Sequence, residues 1–140
     1  IGTVESCTAG KLAQTIASVP GASAYYQGAL LTYSNELKNR IAEVSNEALS
    51  QFGAVSEQVA IEMAANGKRI LGVDYCLSTT GVAGPTGGTP EKPVGLVWIG
   101  LSGPTGTIAK SFRFGDNRQR NIEMTVLSAM NWLRYYLQTN

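Results

Sequence analysis

The run IGTVES at residues 1–6 is apolar and β-branched. It passes without a spacer into CTAGKLAQTIASV, where Leu12, Ile16 and Val19 recur at helical spacing. This strand-to-helix alternation constrains the fold more than any other feature. It recurs when GALLTYS, residues 28–34, leads into ELKNRIAEV. Two further helices are predicted. SNEALSQFG starts at Ser45 and stops at Gly53, and EQVAIEMAANGKRIL is capped by Ser56 with Val59, Met63 and Ile70 on one side. VDYCLSTTG is a third strand and VAGPTGGTPEKP a Gly/Pro loop. VGLVWIGLSG and GTIAKSFRF then make an antiparallel pair, and a closing helix follows with Ile122, Val126, Met130 and Leu133 on one face. Strands that alternate with helices and end in a hairpin predict an α/β domain with a mixed, mostly parallel sheet covered on its faces by helices.

With 140 residues and 44% hydrophobic residues, one domain with a real core is expected. Eleven basic and ten acidic residues leave a net charge of +1, which gives no electrostatic case for a nucleic acid or an anionic membrane. No apolar run approaches the ~20 residues of a membrane span, and a cytoplasmic protein is the expectation. IGTVES reads as a strand already under way, which predicts residues ahead of Ile1. The chain has no histidine. Ser-His-Asp and Cys-His catalysis are thereby excluded, as are ordinary zinc and non-haem iron sites. The base of a hydrolase with this composition is a lysine, a carboxylate or a terminal amine. Cys7 and Cys76 lie in apolar, strand-like surroundings and read as buried thiols.

Four stretches can carry chemistry. In ESCTAG, residues 5–10, Ser6, Cys7 and Thr8 stand where a strand meets a helix. Ser6 or Thr8 can cap that helix, or its free N–H groups can hold an anion or oxyanion. In GASAYYQGALLTYSNELK, residues 21–38, Ser23 and Lys38 flank a strand with Tyr33 on it. They are a capping serine and a solvated lysine, or, if ASAYYQ folds back along the strand, a nucleophile and its base. Asn35 is a candidate cap for the helix carrying Lys38. In STTGVAGPTGGTPEKPVG, residues 78–95, Thr80 and Gly81 open a glycine-rich loop without the P-loop Gly-Lys-Ser/Thr. It is a ligand cradle or simply a flexible loop. In FGDNRQRN, residues 114–121, Arg118 and Arg120 oppose the dipole of the helix they begin, with Asp116 as its candidate cap. They are solvated, or they grip a phosphate or depress the Lys38 amine.

Taken with GAVSEQVAIEMA, these stretches resemble the CinA C-terminal domain family, in the family's order and across nearly the whole chain. The resemblance implies a three-layer α/β/α fold and a dimer with no metal or cofactor. It also implies a nicotinamide-nucleotide amidase, which converts nicotinamide mononucleotide to nicotinic acid mononucleotide and ammonia. Carried over by position, the nucleophile falls on Ser23 and the base on Lys38. The motif tyrosine falls on Tyr33 and the active-site arginine on Arg120. Arg118 is the alternative, because GDNR stands where the family usually has GDR. Thr80 and Gly81 fall on pocket positions, and Ser6, Cys7, Thr8 and Ala22 are further candidates for the substrate-binding wall. The implied chemistry is acyl transfer, with Lys38 taking the Ser23 proton and Arg120 keeping the amine neutral. The competing expectation is a nucleotide-binding or regulatory module without catalysis. For the homodimer, NWLRYYL at residues 131–137 supplies the aromatics.

Overall fold

The computed structural model describes all residues, 1–140. Five strands form one sheet: β1 (Gly2–Glu5), β2 (Gly28–Leu31), β3 (Cys76–Gly81), β4 (Leu96–Gly103) and β5 (Gly106–Arg113). Their order is β2-β1-β3-β4-β5. β1 lies parallel to both β2 and β3, and the β3–β4 and β4–β5 pairings are antiparallel. Parallel and antiparallel pairings are thus equal in number. The late hairpin supplies one antiparallel pairing, and its docking against β3 supplies the other.

Five α-helices cover the sheet: α1 (Lys11–Ala17), α2 (Asn35–Arg40), α3 (Asn46–Phe52), α4 (Glu57–Leu71) and α5 (Arg118–Thr139). Two cores lie on the two faces. Leu12 and Ile16 of α1 pack with Val126, Ala129, Trp132 and Leu133 of α5 over Leu77, Val97, Ile99 and Leu101. On the other face Val59 and Met63 of α4 and Ala48 of α3 pack over Val4 and Cys76. Strands buried from both sides read as continuous apolar runs, as β4 does.

Several expectations change in detail. On α4 the buried line runs Val59, Met63, Gly67, and Ile70 is exposed. Gly67 lies against Val4 and Cys76, where a Cβ would collide with the Val4 side chain. On α5 the inner stripe includes Asn121, Thr125, Ala129, Trp132 and Tyr136 besides Val126 and Leu133. Ile122 and Met130 are only half-buried. Its cap is Asn117, one residue past Asp116. Ser34, not Asn35, caps α2 by accepting from the Leu37 amide at 3.1 Å. The caps predicted at Ser45 and Ser56 are present.

Candidate active site

β1 and β2 run parallel, so the residues just past their C-terminal ends emerge side by side. Those residues are Ser6 after β1, and Tyr33 and Lys38 after β2. Open α/β sheets hold ligands at this edge. A cleft of ≈ 300 Å³ opens there, lined by Ser6, Cys7, Tyr33, Lys38, Thr80, Gly81 and Arg118 among others. The glycine-rich loop enters its wall through Gly84, Thr86 and Gly87.

Lys38 is the decisive side chain. It sits on the first turns of α2, yet it is only 2% exposed. Its Nζ donates to Ser6 Oγ at 2.9 Å and to the Tyr33 carbonyl at 3.2 Å. No carboxylate pairs with it: the chain's ion pairs are Arg40–Glu36 and Arg69–Glu43. Burial lowers the amine below the ordinary lysine range, and the Cys7 sulfur opposes this only when ionised. Burial pushes the Cys7 thiol up to about 12, so that sulfur stays protonated near neutrality and is no nucleophile. Lys38 therefore reaches its neutral, proton-accepting form more readily than a surface lysine.

The turn after β1 supplies the second element. Ser6 donates its amide to the Thr79 carbonyl at 2.9 Å. The amides of Cys7 and Thr8, by contrast, donate to no protein acceptor. Two N–H groups without a protein acceptor directly follow a hydroxyl that touches an amine, and such groups can donate to an oxyanion.

Ser23 is not part of this arrangement, which corrects the expected Ser23–Lys38 pair. Ser23 is exposed in a 3₁₀ turn, Ala22–Ala24, ahead of β2. The adjoining Tyr25 carbonyl accepts from the Ile1 amine at 2.6 Å, and the Gln27 amide donates to the Ile1 carbonyl at 2.9 Å. This puts the turn beside the start of β1, while Lys38 lies beyond the end of β2. ASAYYQ does not fold back along the strand. Ala22 is buried under the same turn and lines no part of the cleft.

The arginines are corrected too. Arg120 is exposed and lines no part of the cleft. Arg118 is the arginine at the site. It donates to the Gly84 carbonyl at 2.8 Å and to the Tyr33 hydroxyl at 2.9 Å. The Tyr33 hydroxyl thus faces Arg118 at the rim, and the Tyr33 carbonyl is what meets Lys38. Neither arginine is what lowers the Lys38 amine; burial is. Thr8 is buried behind the cleft and bonds Glu5 and Thr79. Thr80 and Gly81 line the cleft, and the Thr80 hydroxyl donates to the Ala54 carbonyl at 2.8 Å.

Ser6, expected at the wall of the cleft, is the residue on Lys38, and Glu5 beside it carries no local sequence signal. The signal for Ser6 lay in topology, since two parallel strands ending in ES and in TYSNELK bring a serine and a lysine to one edge. No three metal-ligating side chains converge anywhere in the chain. No helix is long and apolar enough to cross a membrane.

The family model described as the CinA C-terminal domain matches residues 1–137. This chain belongs to the CinA C-terminal domain family. It is 42% identical over 139 residues to a CinA-like protein of Prochlorococcus marinus, covering 97% of this chain and 33% of that one. It is 45% identical over 138 residues to a putative competence-damage inducible protein of Caldanaerobacter subterraneus, covering 99% and 34%. The chain therefore spans about a third of the length of the curated relatives it matches. Among solved structures it is similar to the competence/damage inducible protein CihA from Agrobacterium tumefaciens, with TM-score 0.93, 36% identity and coverage of 96% and 82%. The competence damage-inducible protein A of Klebsiella pneumoniae superposes with TM-score 0.94 at 30% identity, covering 99% and 86%. The three-layer CinA domain architecture is thus common to this chain and those structures.

Proposed function

We propose that this CinA domain is an amidohydrolase in which Ser6 is the nucleophile and Lys38 the base, and that its substrate is nicotinamide mononucleotide. The observation that carries this reading is the buried 2.9 Å contact between Lys38 Nζ and Ser6 Oγ at the wall of a cleft, with no carboxylate beside the amine.

In the first half-reaction, neutral Lys38 takes the proton of Ser6 as Oγ attacks the carboxamide carbon. The Cys7 and Thr8 amides hold the oxyanion. The tetrahedral species collapses as protonated Lys38 gives its proton to the amide nitrogen, and ammonia leaves an ester on Ser6. In the second half-reaction, Lys38 takes a proton from water and the resulting hydroxide attacks the ester. Lys38 then returns a proton to Ser6 Oγ, and the carboxylate product departs. Arg118 offers the cleft a guanidinium suited to the substrate phosphate. The family resemblance supports the choice of nucleotide. The expected homodimer belongs to the same proposal, since α5 leaves Leu127, Tyr135 and Leu137 exposed.

The test is ammonia release from nicotinamide mononucleotide, with nicotinamide and glutamine run alongside. Ser6→Ala is expected to abolish release, and Ser23→Ala to leave it near the parent rate. Tight nucleotide binding without ammonia release would favour the binding or regulatory module instead.

A further inference from the structure

Glu5 ends β1 one residue before Ser6, and its carboxylate is wholly buried without a cation beside it. Oε1 accepts from the Leu12 amide at 2.9 Å and from the Thr8 hydroxyl at 2.6 Å. Oε2 accepts from the Ala13 amide at 2.9 Å. The single Thr8 hydroxyl proton is thereby committed to Glu5. The 2.8 Å contact between Thr8 and Thr79 hydroxyls is therefore donated by Thr79.

These bonds do more than close a helix end. Gly10, at the cap position of α1, has no side chain to offer the first turn. A serine or aspartate there would cap it without burying a charge deep in the fold. A buried carboxylate held by neutral donors alone is a costly substitute for a seven-residue helix. What distinguishes the Glu5 arrangement is the segment it encloses. The Ser6 amide is pinned to Thr79 on one side. Glu5 pins Thr8 and the start of α1 on the other. Between them lie the Ser6 hydroxyl and the two amides, Cys7 and Thr8, that no protein acceptor takes. The four bonds that satisfy Glu5 and Thr8 thus tie down the segment that carries both.

We propose that Glu5 is a positioning residue for the reaction: with Thr8 it holds the Ser6 hydroxyl on Lys38 and fixes the segment that carries the two unpartnered amides, Cys7 and Thr8. This rests on the serine–lysine reading above. The carboxylate touches no substrate, so removing it is expected to slow the chemical step and leave substrate affinity in place.

The experiment measures kcat and KM for nicotinamide mononucleotide. It also measures the rate at which a fluorophosphonate probe labels Ser6, which depends on no amide substrate. The proteins are the parent, Glu5→Gln, Thr8→Val, the double variant and Ser6→Ala. In Glu5→Gln one carboxylate oxygen becomes an NH₂ facing an amide donor. Its kcat and labelling rate are expected to fall about tenfold or more, with KM within about twofold. The double variant is expected to be no slower than the slower single one, because both substitutions break one unit. A lower melting temperature with parental kcat at 25 °C would show a purely structural cap and overturn the proposal. Should Glu5→Gln fail to fold, Thr8→Val carries the same test, and parental kcat in that variant overturns the proposal. Ser6→Ala separates the two claims. Parental turnover in it overturns the serine–lysine reading and this proposal together. A dead Ser6→Ala beside a normal Glu5→Gln overturns the positioning role alone.

Discussion

Lys38 is a buried amine whose protonation bears on stability and, on the proposed mechanism, on turnover. In the folded chain its proton affinity is lowered, first of all by burial. Between its folded value and the ordinary value near ~10.4, the unfolded chain holds the extra proton, so stability rises with pH across that window. Below the window both states are protonated, and the folded chain carries the full penalty of a desolvated charge. Lys38→Met removes that penalty. It is expected to stabilise the domain by about 1 kcal/mol, roughly 4 °C in melting temperature. The gain is largest below the folded value and shrinks as pH climbs toward the ordinary lysine range. Melting curves for parent and variant at a series of pH values check this, and a gain independent of pH would contradict it. Turnover moves the same way with pH if Lys38 is the base. On the proposed mechanism the neutral amine accepts the proton, so kcat/KM is expected to rise with pH through a midpoint below that of a free lysine. Lys38→Arg, protonated at every accessible pH, is expected to lose turnover altogether.

At the scale of elements, what the sequence made legible depended on how local the cause was. Ser45 and Ser56 each accept from an amide three residues ahead, at 3.1 and 3.3 Å, so the signal lies within one turn and is legible in the sequence. The start of α1 differs from the expected Ser6 or Thr8 cap because its amides are held from β1, by Glu5, seven and eight residues back in sequence. Ser23 failed for a similar reason. Spacing along 21–38 cannot say which end of a strand a flanking residue occupies; the register that pairs Gly2 with Gly28 and Glu5 with Leu31 decides it. That register puts Ser6, not Ser23, beside Lys38. A third cause invisible in sequence is close approach. Gly100 on β4 faces α4, where the Ser78 hydroxyl donates to the Ala60 carbonyl at 2.6 Å and accepts from the Gly100 amide at 3.2 Å. A Cβ on residue 100 would collide with both the Ser78 hydroxyl and the Ala60 carbonyl. Gly100→Ala is expected to push α4 off the sheet and destabilise the fold by about 1–3 kcal/mol. Urea unfolding measures this, and an unchanged midpoint would show that the helix can yield.

At the scale of the whole molecule, the cleft exists because segments from both halves of the chain end at one edge. β1 and β2 deliver Ser6 and Lys38 there, β3 delivers Thr80, and α5 returns from the far side of the sequence with Arg118 at its first position. Arg118 joins these parts. One nitrogen holds the loop through the Gly84 carbonyl and the other reaches the Tyr33 hydroxyl, 85 residues away in sequence. Behind it, Asn121 donates to the Ala83 and Gly115 carbonyls, each at 3.0 Å, which docks the same loop on the body of α5. The loop is therefore held from two points, and losing one leaves the other in place. If Arg118 faces the substrate phosphate, Arg118→Ala removes a charge-assisted contact of about 1.5–3 kcal/mol, equivalent to roughly 10- to 150-fold in affinity. The expected result is a KM for nicotinamide mononucleotide raised by that factor, with kcat changed far less because Ser6 and Lys38 keep their contact. The matching nucleoside, which lacks the phosphate, separates the two jobs of this side chain. Its kcat/KM is expected to be the same in parent and variant if Arg118 reads the phosphate. An equal loss on both substrates would mean that Arg118 acts only by bracing the loop and Tyr33.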